Sequence, residues 1–189
     1  MCCKVLEDIN FIELNQLSKL KYREQVIELY FQTFTTGEYA QFIERSSIEK
    51  TIDGLINIGC GVLALSDEKL VGILLGSPLS EHSDFAFNNI AFDIDKTIYI
   101  NEVGVDTSYR GRGIAEKMIG VFFNNIRGKY NNAVIRVWDK NIPALSLYNK
   151  LNFEPIARIT QTKFKTSGEE FEMNKIYLYK KLKTKNDSL

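Results

Sequence analysis

The chain has 189 residues, 44% of them apolar and 25% charged, with 24 Lys plus Arg against 24 Asp plus Glu. This size and apolar share suit one globular α/β domain with a sizeable core, taken as 1–182 with a disordered tail at 183–189, and the equal charges leave no basic excess to hold a nucleic-acid backbone. No apolar run reaches the ~20 residues of a membrane span, no signal-peptide core opens the chain, and Cys2, Cys3 and Cys60 lack zinc-ligand spacing and an even count, so the expectation is a cytoplasmic protein with reduced thiols and no metal. In chain order, a strand is expected near Phe11 to Leu14, a helix over Tyr22 to Phe34 and another over Ser47 to Ile58. Gly61 to Ser66 and Leu70 to Ser77 read as a hairpin across an Asp67-Glu68-Lys69 turn. Pro78 to Asp95 mixes polar and aromatic residues without period, which marks a long functional or partner-facing loop; its Phe85 to Phe92 stretch suits a homodimer contact or a self-packed loop equally well. A strand over Thr97 to Val105, a helix from Ile114, a strand over Ala133 to Trp138, a helix over Pro143 to Leu151 and strands near Phe153 to Thr162 and Phe171 to Leu182 complete the series. Strands before and after the helices imply a mixed sheet.

The most informative segment is Tyr99 to Met118, a strand, a short polar turn and a glycine-spaced basic loop that opens a helix. Gly111 and Gly113 let backbone N–H groups approach a bulky anion, and Arg110 and Arg112 add fixed positive charge. Ile114, Met118, Val121, Phe122 and Ile126 recur at the spacing of one buried helical face, which places the loop at a helix N-terminus, where unpaired donors and the helix dipole favour a diphosphate. Neither rival phosphate motif fits. Gly113 is followed by Ile114 and Ala115 rather than by Lys and a hydroxyl residue, and the third glycine of a dinucleotide fingerprint is Glu116.

Arg110-Gly111-Arg112-Gly113-Ile114-Ala115 resembles the Q/R-x-x-G-x-G/A signature of the GNAT acetyltransferase superfamily. A second segment, Val134 to Trp138 followed by Asn141 to Phe153, resembles that family's N-x-x-A-x-x-L-Y-x-K-x-G-F motif, with Asn152 in place of the glycine; asparagine is the next best residue for a left-handed helix end. The resemblance, over roughly Gly61 to Leu182, implies a mixed, mostly antiparallel sheet flanked by helices and splayed at the cofactor strands. It implies acetyl-CoA as acyl donor, held by Arg110 to Ala115 at the pyrophosphate, with Val103, Gly104 and Val105 along the thioester arm and Asn141 and Tyr148 beside it.

Direct transfer to a primary amine needs a proton acceptor, because an alkylamine with a pKa near ~10.4 is mostly protonated at neutral pH. Glu102 is the candidate general base, with an acceptor-orienting or salt-bridged role as its alternative; burial would have to raise its pKa. Alternation sets Glu102 and Gly104 on one face of their strand and leaves open which side that is. The Val105 N–H is a candidate oxyanion donor. Tyr148 is the candidate general acid toward the departing thiolate, although it also belongs to an apolar face with Ala144, Leu147 and Leu151. Asn141 is either a ligand of the pantetheine arm or a plain helix-entry residue. A covalent route through Cys60 is disfavoured because His82, the only histidine, is expected to be a surface residue of the long loop. The resemblance implies that the region after the first helix, with Phe31, Phe34, Glu38 and Tyr39, and the last hairpin, Lys163 to Glu172, line the acceptor side. There Phe34, Tyr39 and Phe42 suit an apolar body and Glu38, Glu169, Glu170 or Glu172 a small cationic amine, with ordinary solvated charges as the alternative for these acids, for Glu169 and Glu170 above all. A peptide or protein acceptor and a non-catalytic acyl-CoA sensor are the alternatives.

Overall fold

A computed structural model of the protein describes residues 9–36, 40–82, 91–165 and 167–183. Seven strands, β1 (Ile9–Glu13), β2 (Cys60–Ser66), β3 (Lys69–Pro78), β4 (Thr97–Val105), β5 (Asn132–Trp138), β6 (Glu154–Phe164) and β7 (Glu170–Lys181), hydrogen-bond in the order β1-β2-β3-β4-β5-β7-β6. The β4–β5 pair is parallel, and the β1–β2, β2–β3, β5–β7 and β6–β7 pairs are antiparallel, so the sheet is mixed and mostly antiparallel, as expected. Four helices accompany it, α1 (Gln16–Thr35), α2 (Arg45–Ile58), α3 (Ile114–Asn125) and α4 (Ile142–Lys150). The chain divides into two compact units, Met1–Gly76 with Glu102–Asn125, and Ser77–Asn101 with Ile126–Leu189.

In the first unit, α1 and α2 bury Val26, Ile27, Ile48 and Ile52 against Leu63, Leu65, Ile73 and Leu75 on one face of the β2–β3 hairpin. The intervening positions Ala64 and Gly72 are small because α3 lies on the other face: a Cβ at Gly72 would come within 3.1 Å of Met118. That packing fixes the start of α3, and hence the loop before it, against the hairpin. The hairpin turn is Asp67-Glu68, with Asp67 in the left-handed region at φ 52°.

α1 begins six residues earlier than the apolar period suggests, at Gln16 instead of Tyr22. Its first turn carries Leu17 and Leu20, 80% and 82% exposed, so no buried face announces it. A capping box starts the helix instead: the Asn15 side chain accepts from the amides of Leu17 and Ser18, and the Asn15 amide donates to the Ser18 hydroxyl.

In the second unit, β5 pairs with β4 from Thr97↔Asn132 to Ile100↔Ile135 and with β7 from Asn132↔Lys181 to Trp138↔Lys175. Leu79, Tyr99, Val134 and Tyr177 form its core cluster, and Phe92 stacks on Tyr179 at 4.7 Å. Leu79–Glu81 makes one short 3-10 turn where irregular chain is expected; residues 83–90 of the long loop and the tail from 184 lie outside the described residues.

Candidate active site

Backbone conformation makes the glycine loop. Gly111 and Gly113 have φ of 74° and 77°, and a Cβ at either would meet nothing within 4 Å. Glycine is therefore required for the left-handed turn, while the open space around both Cα atoms is what a bulky anion needs. Lys117 N–H donates to Gly113 O at 3.0 Å, so Gly113 caps α3, and the amides of Ile114, Ala115 and Glu116 have no acceptor within the helix. Both arginines are anchored. Arg110 Nε donates to Val105 O at 3.1 Å, and Arg112 Nη2 donates to Ser108 O at 3.1 Å while its guanidinium lies 4.8 Å over the Tyr109 ring.

The turn before the loop is braced by Asp106. Its carboxylate accepts from the Ser108 amide at 2.9 Å, the Ser108 hydroxyl at 2.6 Å and Lys69 Nζ at 3.0 Å, and its own N–H donates to Val71 O. The Ser108 hydroxyl chiefly, with Lys69 and the Ser108 amide, outweighs burial and lowers the carboxyl to a pKa of about 2. A fixed carboxylate thus ties β3 to the strand-to-helix turn, a link with no signature in the sequence.

Two positions on β4 face α1, which settles the side that alternation leaves open. Tyr30 OH donates to Glu102 Oε1 at 3.3 Å, and a Cβ on Gly104 would come within 3.3 Å of Ile73 and 3.4 Å of the Thr33 hydroxyl. Glu102 is partly buried. In the second unit, the Tyr148 ring is buried and packs edge-on against Phe153 at 5.7 Å. Asn152 ends its helix at φ 59°, the left-handed conformation expected where the motif has glycine. Asn141 Oδ1 caps α4 by accepting from Ala144 N at 3.3 Å, which realises the helix-entry reading.

The sequence matches the Acetyltransferase (GNAT) family over residues 23–153, well over half of the chain and inclusive of both motifs. The chain belongs to the GNAT acetyltransferase family. Three solved structures share the fold. Staphylococcus aureus Mu50 N-acetyltransferase is 16% identical, with 92% of this chain and 99% of that one covered at a TM-score of 0.66. Brucella melitensis ribosomal-protein-alanine N-acetyltransferase is 13% identical, covering 92% and 99% at 0.67. Arabidopsis thaliana NAA60 in complex with acetyl-CoA is 18% identical, covering 92% and 98% at 0.64. No curated protein matches.

His82 is half-buried rather than a surface residue: its Nε2 lies 2.8 Å from Ser77 Oγ and 3.3 Å from Asn101 Nδ2, and its ring meets Tyr99 edge-on at 4.7 Å. Ser77, fully buried, also donates to Asn101 Oδ1 at 2.9 Å. Of the residues expected on the acceptor side, Phe31 and Phe34 are half-buried, Phe42 is 56% exposed, and Glu38 and Tyr39 lie outside the described residues. Glu169 is paired with Lys165 at 2.8 Å, and Glu170 and Glu172 are exposed. Cys60 is half-buried at the first position of β2. No described helix is long and apolar enough to cross a membrane, and the described residues contain no group of His, Cys, Asp and Glu that could hold a metal ion.

Proposed function

We propose that this GNAT protein is an acetyl-CoA-dependent N-acetyltransferase that passes the acetyl group directly to a primary amine. The observation that carries the reading is the loop itself. Two left-handed glycines with open space over them, three helix-end amides and two anchored guanidiniums form a ready cradle for a diphosphate, and the residues present fit the pyrophosphate of the acyl donor. Acetyl-CoA supplies an activated acetyl thioester. The chain supplies the proton handling: Glu102, oriented by the Tyr30 hydroxyl, takes a proton from the acceptor ammonium, directly or through water. The freed nitrogen forms the new C–N bond, the Val105 N–H supports the charge on the carbonyl oxygen, Tyr148 gives its phenolic proton to the departing sulfur as the C–S bond breaks, and the proton shed by the acylated nitrogen restores the Tyr148 phenol. A ring locked by packing with a polar tip suits that donor role. The reading treats residues 1–182 as one acetyltransferase domain.

The acceptor is a small cationic amine, seated by aromatic groups such as Phe31 and Phe34. A peptide acceptor is the second reading, and the pairing of Glu169 with Lys165 favours it by neutralising one of the carboxylates expected to draw a cation. Thiol release from acetyl-CoA is to be measured against polyamines, aminoglycosides and short peptides, with calorimetric CoA binding alongside. Turnover with one class names the acceptor. CoA binding without turnover across the panel favours a sensor, and no CoA binding refutes the loop assignment. Tyr148→Phe is expected to lower kcat by about 100-fold with CoA affinity unchanged; undiminished turnover overturns the acid assignment.

A further inference from the structure

The second unit holds a cleft that the transfer reading does not use. It lies at the C-terminal end of β5, is half-open with a volume of about 300 Å³, and is lined by Asp139, Arg158, Ile159, Thr160 and Asn174. This volume is at the lower end of the small-molecule range. Its floor is a polar row across three strands. Asp139 N–H donates to Asn174 O at 3.0 Å, just past the last β5–β7 pair, Trp138↔Lys175, and Asn174 is in register with Thr160 of β6. The Thr160 hydroxyl donates to Asn174 Oδ1 at 2.9 Å, which leaves the Asn174 Nδ2 hydrogens as the donors of that amide. Arg158 is two residues from Thr160 on β6, so alternation puts both on the same face.

The two charged groups lack partners. Asp139 Oδ1 is buried with no hydrogen-bond donor, and Arg158 makes no ion pair or side-chain hydrogen bond among the described residues. They do not satisfy each other: Asp139 Oδ1 has no donor, Arg158 has no acceptor among the described residues, and β7 lies between their strands. Burial of a carboxylate oxygen without a donor is costly, and such atoms are rare in folded proteins unless a ligand or water completes them. A single carboxylate facing a guanidinium is a poor site for a divalent cation, which takes six or more oxygen ligands. It is a good site for a molecule that donates to the carboxylate at one end and accepts from the guanidinium at the other.

We propose that this cleft binds a small zwitterion of dipeptide size, with its ammonium on Asp139 and its carboxylate on Arg158. Asn174 Nδ2 donates to the group between the two ends; the Ile159 side chain, on the other face of β6, packs on the Leu79, Tyr99, Val134 and Tyr177 cluster and takes no part. The site needs none of the catalytic roles assigned above, so its fate and theirs are separable.

The test uses the full chain, the probe alanyl-alanine and its two capped forms, N-acetyl-alanyl-alanine and alanyl-alanine amide, with binding followed by NMR shifts of the backbone amides. The free dipeptide is expected to shift the amides of Asp139, Arg158 and Asn174, and each cap to weaken binding at least tenfold. Asp139→Asn is expected to weaken the free dipeptide to the level of the N-acetyl form and to abolish discrimination between them. Arg158→Gln is expected to do the same for the amide. Asp139→Asn also removes an unsatisfied charge, so its thermal midpoint is expected to stay level or rise while affinity falls, and CoA binding to stay unchanged in both variants. No shift in the millimolar range, binding indifferent to both caps, or unchanged affinity in the two variants overturns the proposal.

Discussion

Glycine does two different jobs in α3 and its approach, and one substitution separates them. At Gly113 the chain needs φ 77°, whereas Gly120 sits within the helix on an exposed face with nothing within 4 Å of a Cβ. A left-handed conformation costs an alanine roughly 1–2 kcal/mol, and an alanine in place of a helix-interior glycine gains roughly 0.5–1 kcal/mol. Gly113→Ala is therefore expected to lower the urea midpoint and Gly120→Ala to raise it. Because steric room is ample at both positions, equal effects of the same sign would refute the conformational account of the loop. Gly113→Ala is also expected to weaken CoA, through displacement of the amides that the cradle depends on.

The turn between β4 and α3 is an element held by a carboxylate, which makes it sensitive to acid. Asp106 has a folded pKa of about 2 against an ordinary value of 3.8, set first by its bond from the Ser108 hydroxyl. A depressed carboxyl stabilises the fold above the unfolded pKa and loses that contribution as pH falls through the folded one; here the total is roughly 2 kcal/mol, with about 1 kcal/mol gone by pH 3. Unfolding free energies from urea titrations at pH 6 and pH 3 are expected to differ more in the wild type than in Asp106→Asn by about that 1 kcal/mol. An identical pH dependence in the variant would remove the brace from the account of the loop. What the sequence reveals divides at this scale by range of interaction. The span of β4, the glycine loop and the asparagine-ended α4 follow from alternation, left-handed turns and capping, all local rules, and each is found where local rules put it. The α1 start is missed because its opening leucines face solvent and only the cap marks it. The Tyr30–Glu102 contact joins residues 72 apart, and the Ser77–Asn101 bond joins residues 24 apart, so neither can be read from spacing. The Asp139 and Arg158 cleft exists only because β7 enters the sheet between β5 and β6, an order that follows from the fold and not from the run of the chain.

At the scale of the whole molecule, 24 basic and 24 acidic groups cancel, and the sequence pI is about 6.6. A chain with this balance has little net charge to draw a polyanion from a distance, so under the proposed function recruitment of CoA would fall to the few cations at the glycine loop. Arg112 is pinned to Ser108 O and stacked on Tyr109, Arg110 is pinned to Val105 O, and Lys69 is engaged with Asp106 and lies 5.3 Å from the same Tyr109 ring, so the local positive charge is held in place instead of sampling solvent. Fixed charges at an exposed site are screened over about 10 Å at 0.1 M salt. CoA affinity is accordingly expected to fall modestly as salt rises from 0.05 to 0.5 M, and Arg110→Ala to weaken binding by about tenfold while flattening that dependence, as one charge-assisted contact of about 1.4 kcal/mol would. Heparin, a polyanion without a pyrophosphate to fit the loop, is expected not to retain the protein at 0.15 M salt. Retention there, or a salt slope indifferent to Arg110→Ala, would mean that an extended basic surface and not the loop gathers the anion.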